Sequence, residues 1–239
     1  MLGDGRSIDY EVVVANADAS LVYNKLISGK VSKLRRTRKN LAKAEPSLAG
    51  FSLLLGLRPS DKPSGLSHHN VLFPKDYDQE FEDIFNRKVP VADPTIYICA
   101  PNDDAMVKHP GHEAWFVLVN APRHGESDGF NWNDKDANHR YAMKIIDAIE
   151  ARGISVRDRL EVLEIRTPAD LERTVMAPGG SIYGTSSNGA RSAFLRAKNR
   201  SPLKGLYCVG GSAHPGGGLP LVGLSAEIVA QAVVGPTTH

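Results

Sequence analysis

The sequence predicts a mixed α/β chain in which an antiparallel or mixed sheet is followed by a closing strand, a glycine-rich turn and a helix. Three observations predict it. Short apolar runs, GFSLLLGL, HHNVLF, TIYICA and AWFVLVNA, stand between Pro, Gly and Asp signals and read as strands. Most of them have no helix between them, which disfavours a repeated βαβ winding. Near the end, LYCVGGSAHPGGGLPLVGLSAEIV joins an apolar run to a helical one through a glycine cluster.

Taken in order, MLGDGRSIDYEVVVANAD predicts a hairpin, with Gly3-Asp4-Gly5 as its turn and the β-branched run Val12 to Val14 as a strand. SLVYNKLI and the basic stretch after it predict helix, ended by Pro46. KDYDQEFEDIFNR predicts a helix between the second and third strands of the middle region. In DANHRYAMKIIDAIEARG, Tyr141, Ile145, Ala148 and Ile149 share one helical face and Gly153 stops it. LEVLEI is a strand. TPADLERTV has Thr167 as N-cap, Pro168 at the first helical position and Asp170 in the first turn. The last helix is expected from about Leu221 to Val234.

The 239 residues suffice for one large domain or parts of two. A net charge of +2, with 41% hydrophobic and 23% charged residues, fits a globular protein and disfavours a nucleic-acid binder. One segment is locally basic: in KVSKLRRTRKNLAKAE, Lys30, Lys33, Arg35, Arg36, Arg38, Lys39 and Lys43 face only Glu45, with Leu34 and Leu41 as a thin apolar stripe. It reads either as a solvated helix face or as a contact for an anionic membrane surface. Cys99 and Cys208 sit far apart in apolar runs and predict buried thiols in a reducing compartment. With no signal-peptide pattern and LAGFSLLLGL too short to span a bilayer, a cytoplasmic chain is expected, at most peripheral on the inner face of a membrane. His68-His69 and His109-Pro-Gly-His112 are the close histidine pairs; no carboxylate or cysteine spacing completes either, so no metal site is expected.

Three readings compete for the glycine turn. Gly218, Gly223 and Ser225 fall at the spacing of a phosphate loop, but Leu224 stands where the lysine is required. GGSAH around Ser212 nearly forms a nucleophile elbow, with His214 in place of the second glycine. The third reading is a flat cofactor that gathers negative charge, met by unpaired N–H groups and the positive end of the final helix, with Pro215 and Pro220 stiffening the approach.

These residues carry a resemblance. GLYCVGGSAHPGGGLPLVGLSAEIVA resembles the carboxyl-terminal flavin motif of the carotenoid (phytoene) desaturase family of FAD-dependent, amine-oxidase-like flavoproteins, approximately LY-x-VG-[AG]-[GS]-x-HPG-x-G-[IL]-P. VVVANADAS, SHHNVLF with DYDQEFEDIF, DPTIYICAPNDDA, AWFVLVNAP, TPADLER and GGSIYG resemble further stretches of that family, in the same order. The family's amino-terminal G-x-G-x-x-G, which binds the ADP half of FAD, does not occur here. The resemblance is therefore to the carboxyl-terminal half only, as a fragment or as one member of a split pair.

The resemblance implies FAD as cofactor, lined by Gly210, Gly211, Ser212, His214, Pro215, Gly216, Gly217, Gly218, Leu219, Pro220, Leu221 and Val222. It assigns no catalytic residue. His214 reads equally as a structural member of the turn or as a group that positions flavin or substrate. Asn16 and Asp18 read as architectural first. The implied domain plan is a returning hairpin at 1–18, a basic helical segment at 19–45, a substrate-domain-like region at 46–178 and the closing FAD-domain segment at 179–239. The implied reaction is dehydrogenation of a long isoprenoid such as phytoene, with a partner chain supplying the dinucleotide fingerprint. The alternative is a non-catalytic interaction half or a truncated remnant. GFSLLLGL, TIYICA and AWFVLVNA are expected either as walls of an apolar tunnel for a lipophilic polyene or as ordinary core.

Overall fold

The computed structural model describes residues 5–61, 65–101, 103–125, 129–186 and 196–235. The chain divides into two compact units: Leu48–Thr174 with Gly179–Ser181, and Met1–Ser47 with Val175–Pro178 and Ile182–His239.

The sheet unit is built on five antiparallel strands in the order β3-β4-β5-β2-β6: β2 (Ala49–Leu57), β3 (His69–Leu72), β4 (Ile96–Cys99), β5 (Glu113–Ala121) and β6 (Leu160–Arg166). The mixed alternative is thus resolved as antiparallel. Side chains alternate across a strand, so the apolar runs divide their residues between two faces. Phe51, Leu53, Leu55 and Leu57 of β2, with Trp115, Val117 and Val119 of β5 and Ile96 and Ile98 of β4, are buried in one core. The opposite face presents Leu54, Val71, Phe116 and Val162, all exposed. The same strands are therefore core on one side and open apolar surface on the other.

A helix (Lys135–Glu150) closes the inner face by burying Tyr141, Ala142, Ile145, Ile146 and Ile149. Ala148, on the expected face, is partly buried against the same core. Asp134 caps it by accepting from the N–H groups of Asp136 and Ala137 at 3.0 Å each. Phe51 packs edge-on against Tyr141, with ring centroids 5.0 Å apart, and lies 5.3 Å from Trp132. Asp76 caps a short helix (Tyr77–Phe81) that runs on as a π-helical turn through Arg87. Its Glu80, fully buried, accepts from Thr95 N and Asn120 Nδ2, so the buried carboxylate is satisfied. Another helix (Pro168–Val175) opens as expected: the Thr167 hydroxyl accepts from Asp170 N–H at 3.2 Å, and Asp170 accepts from Thr167 N–H at 2.8 Å.

The second unit is thinner. Its strands β1 (Val13–Ala15) and β7 (Leu206–Cys208) pair in parallel, with Ala15 opposite Cys208. This corrects the expected opening hairpin. Val13 to Ala15 take their partner from a strand nearly two hundred residues away, and residues 5–11 form no strand. Gly3 and Asp4 of the expected turn lie outside the described residues. Among the described residues, the α-helices in chain order are α1 (Ala19–Leu21, continued as a π-helical turn to Leu26), α2 (Arg35–Lys43), α3 (Tyr77–Phe81), α4 (Lys135–Glu150), α5 (Pro168–Val175) and α6 (Leu219–Val234). The small core of this unit joins Ala19, Val22, Tyr23, Leu34, Leu41, Ala197, Cys208 and Ala213.

In the basic segment, Leu34 and Leu41 point into that core, while Lys30, Lys33, Arg35, Arg36, Lys39 and Lys43 are exposed. The apolar stripe is spent inward. Arg38 is the exception among the cations: its guanidinium donates to the carbonyls of Tyr23, Ile27 and Gly29 at 2.7 to 2.8 Å and ties α2 to the end of α1.

Candidate functional site

The site the sequence points to is the turn between β7 and α6. Its glycines have separate reasons to be glycine. Gly210 and Gly218 adopt φ of 104° and 96°, which a side chain disfavours. A Cβ on Gly210 would lie 2.7 Å from Asn16 Oδ1, and one on Gly217 would overlap the Tyr183 ring. These two positions are therefore demanded by the chain's own packing. Around Gly218 and Gly223, by contrast, a Cβ would meet nothing within 4 Å, so the free backbone there faces open space.

The turn is held from beneath by residues that the sequence reading left out. Asn199, buried, places its Nδ2 within 3.1 Å of the Cys208 carbonyl and 2.9 Å of both the His214 carbonyl and Ser225 Oγ. Ser225 Oγ accepts in turn from Gly210 N–H at 3.2 Å, so the first turns of α6 are bonded to the end of β7. Arg196, also buried, donates to the carbonyls of Gly211 at 2.6 Å, Thr185 at 2.8 Å and Tyr183 at 3.0 Å. Burial pulls its basicity below the usual arginine value, and the charge of Asp18 works in the opposite direction. The run RAKNR holds both residues, but it reads as a polar loop, and only tertiary contact marks them.

Ser212 is occupied structurally: its Oγ accepts from Ala19 N–H at 2.9 Å and donates to Ala17 O at 3.5 Å. A nucleophile with a base beside it would look different. Asp18 caps α1, accepting from Ser20 and Leu21 N–H. His214 joins the turn through its backbone, its N–H donating to Ala197 O at 2.8 Å, while the residue is exposed. The bond between His214 and Pro215 is cis. Gly211, Ser212, Pro215, Gly217 and Val222 are partly exposed, Gly216 is buried, and Gly218, Leu219, Pro220 and Leu221 are exposed. Beneath the turn, burial raises the Cys208 thiol and the Tyr23 phenol above their ordinary values, so both stay neutral.

At α6 itself, Gly218 is the N-cap, no side chain caps the helix, and its first turn holds no acidic residue. Its leading N–H groups and positive end are left for something outside the helix. Leu219 is 89% exposed, and Leu221 and Leu224 are exposed beside it. Only Ser225 and Val229 of the sixteen residues of α6 are buried. An apolar helix so little covered has surface to give to another body.

Comparison with known proteins bears on the same geometry. The chain is 32% identical over 234 residues to the hydroxyneurosporene desaturase of Rubrivivax gelatinosus, covering 98% of this chain and 43% of that protein. It is 35% identical over 235 residues to the 1-hydroxycarotenoid 3,4-desaturase of Flavobacterium sp. (strain P99-3), covering 97% and 45%. The chain is a relative of the carotenoid desaturases. It spans about half the length of the curated desaturases it matches, as a carboxyl-terminal half would. No family model matches it. Among solved structures, an oxidoreductase from Methanosarcina mazei superimposes with a TM-score of 0.53 at 16% identity, over 95% of this chain and 44% of that one, so this desaturase relative shares its fold with part of that protein. Among the described residues, no helix is long and apolar enough to cross a membrane.

Proposed function

We propose that this chain forms the carboxyl-terminal half of an FAD-dependent carotenoid desaturase, which removes two hydrogens from a long isoprenoid such as phytoene. The observation that carries the reading is the uncapped, acid-free N-terminus of α6, set by a glycine turn at the end of a strand, in a chain whose curated relatives are desaturases. FAD, when bound, supplies the hydride acceptor. The residues from Gly210 to Val222 line it: the open backbone at Gly218 admits a flat ring, and the α6 N-terminus favours the negative charge of the reduced form. The open apolar face of the five-stranded sheet, with Leu54, Phe116 and Val71, offers a dry surface for a polyene. Names of two relatives specify hydroxylated carotenoids, so hydroxylated and unsubstituted polyenes both belong among the substrates offered.

The ADP half of FAD is bound outside this sequence, by a segment or partner bearing G-x-G-x-x-G. Exposed Lys30, Lys33, Arg35, Arg36, Lys39 and Lys43 give the assembly an electrostatic contact to an anionic membrane, where its substrate dissolves.

Purification tests the reading. The chain alone is expected to retain no flavin, and co-expression with an amino-terminal half carrying G-x-G-x-x-G to restore a yellow, substrate-bleachable protein. A reconstituted pair that stays colourless sinks it. Gly223→Ala sharpens the test: the new methyl meets nothing within the chain and favours helix, so the fold should gain about 0.5–1 kcal/mol while flavin retention drops. Undiminished flavin would move the cofactor away from the start of α6.

A further inference from the structure

The open face of the sheet carries a cluster that the flavin reading does not use. His69 of β3 stands directly opposite Cys99 of β4 in the antiparallel register. Directly opposed side chains in such a pair have Cβ atoms about 4.5–5.5 Å apart. His68 precedes the strand, so the alternation that would throw neighbours to opposite faces does not separate it from His69. Their rings lie 4.3 Å apart, and the His68 carbonyl accepts from Ala100 N–H at 2.8 Å, which anchors this histidine beside the end of β4. One ligand atom from each of His68, His69 and Cys99 lies within 4.8 Å of the others. Around a tetrahedral zinc, ligand atoms sit roughly 3.5 Å apart, given metal–ligand lengths of about 2.0–2.3 Å. Side-chain rotation at the exposed histidines closes that difference.

A fourth group supports the cluster. The Tyr97 hydroxyl lies 2.8 Å from His69 Nδ1 and the two rings stack, so the imidazole is oriented rather than free. The other close pair, His109 and His112, lacks such company: His112 faces Glu161 at 3.4 Å.

We propose that His68, His69 and Cys99 form a zinc site that clips the start of β3 to the end of β4. Two imidazoles and one thiolate are a borderline-to-soft donor set, which selects zinc over magnesium or calcium. Three protein ligands leave a fourth position for water or a small ligand. Binding takes the Cys99 proton, so the thiol is masked when the ion is present. The site is independent of the flavin reading, and its test needs no flavin.

The full chain, freed of metal by chelation and kept reduced, is titrated with Zn2+ by calorimetry and with Co2+ by absorbance. One equivalent is expected, with a thiolate-to-cobalt charge-transfer band in the near ultraviolet and a raised melting temperature. Cys99→Ser should abolish the band, and His68→Ala should weaken Zn2+ binding by more than the ~10–100-fold typical of losing an outer partner; Tyr97→Phe should fall within that range. His109→Ala with His112→Ala should change neither readout, and Cys208 remains in every variant as the control thiol. Absence of the band in the unaltered chain, or its survival in Cys99→Ser, overturns the site. Should Cys99→Ser not fold, alkylation supplies the second measurement: Zn2+ must slow modification of Cys99, and equal rates with and without it overturn the site too.

Discussion

The sheet unit and the unit built on β1 and β7 solve the same problem to different extents. In the first, five antiparallel strands and α4 bury twenty residues in one core, and the cap, the sheet register and the aromatic cluster are all satisfied internally. In the second, among the described residues, a parallel pair of three-residue strands accompanies a core cluster of eight buried residues. Parallel ladders occur almost wholly in sheets covered on both faces. Here Val13 and Val14 are each 48% exposed, and α6 buries two of sixteen residues. The difference teaches that burial is concentrated in the sheet unit, whereas the β1–β7 unit leaves much of its apolar surface exposed, and the glycine turn belongs to the more exposed unit.

Hydrogen exchange would break this comparison most directly. Backbone amides of β2 and β5 should exchange more slowly than those of β1 and β7 by on the order of 100-fold or more, because protection follows buried contact. Addition of the amino-terminal half should slow β1, β7 and α6 selectively. Equal protection in the isolated chain would show that the β1–β7 unit needs no partner.

Within the sheet unit, Phe51→Ala should cost about 3–5 kcal/mol in denaturant unfolding, since it empties the centre of the cluster with Trp132 and Tyr141. A cost below ~1 kcal/mol would mean that this core collapses freely. Within the other unit, Gly217→Ala should cost roughly 1–3 kcal/mol through collision with Tyr183, and Tyr183→Ala in the same chain should recover most of that loss. Strictly additive effects would remove Tyr183 as the cause.

The smallest expected effect is a pH dependence at α5. Desolvation would raise the Asp170 carboxyl, but hydrogen bonds from Thr167 N–H and hydroxyl and the charge of Arg173 hold it below the usual carboxylate range. A carboxyl depressed in the folded state adds stability above its unfolded pKa, and that part is lost as pH falls through the folded value. Thermal midpoints taken from pH 6 downward to about pH 3 should therefore fall more steeply for the natural chain than for Asp170→Asn. Parallel curves would leave Asp170 without such a role.

Much of the sheet unit is legible in sequence because its signals are local. Short apolar runs between Pro, Gly and Asp signals mark β2, β4 and β5; Thr167 and Pro168 mark a helix start; Tyr141, Ile145 and Ile149 mark a buried face. The glycine turn was legible as a motif, down to its helix. Its foundation was not. Asn199, Arg196, Asn16 and Tyr183 are polar or aromatic residues in stretches without periodicity, and their value lies in contacts with residues remote in sequence, such as Asn199 with Ser225. The opening hairpin failed for the same reason: a β-branched triplet shows that a strand forms, never which strand it joins.

By itself, then, the sequence determined most element types and the glycine turn between the last strand and the last helix, since these depend on apolar runs, caps and glycine. Tertiary structure alone decided the parallel pairing of β1 with β7, the use of Gly217 to admit Tyr183, and the meeting of His69 with Cys99 across the β3–β4 register. Those facts rest on which distant segments touch. Contact of that kind is settled by the burial of whole faces at once, and no single stretch of chain records it.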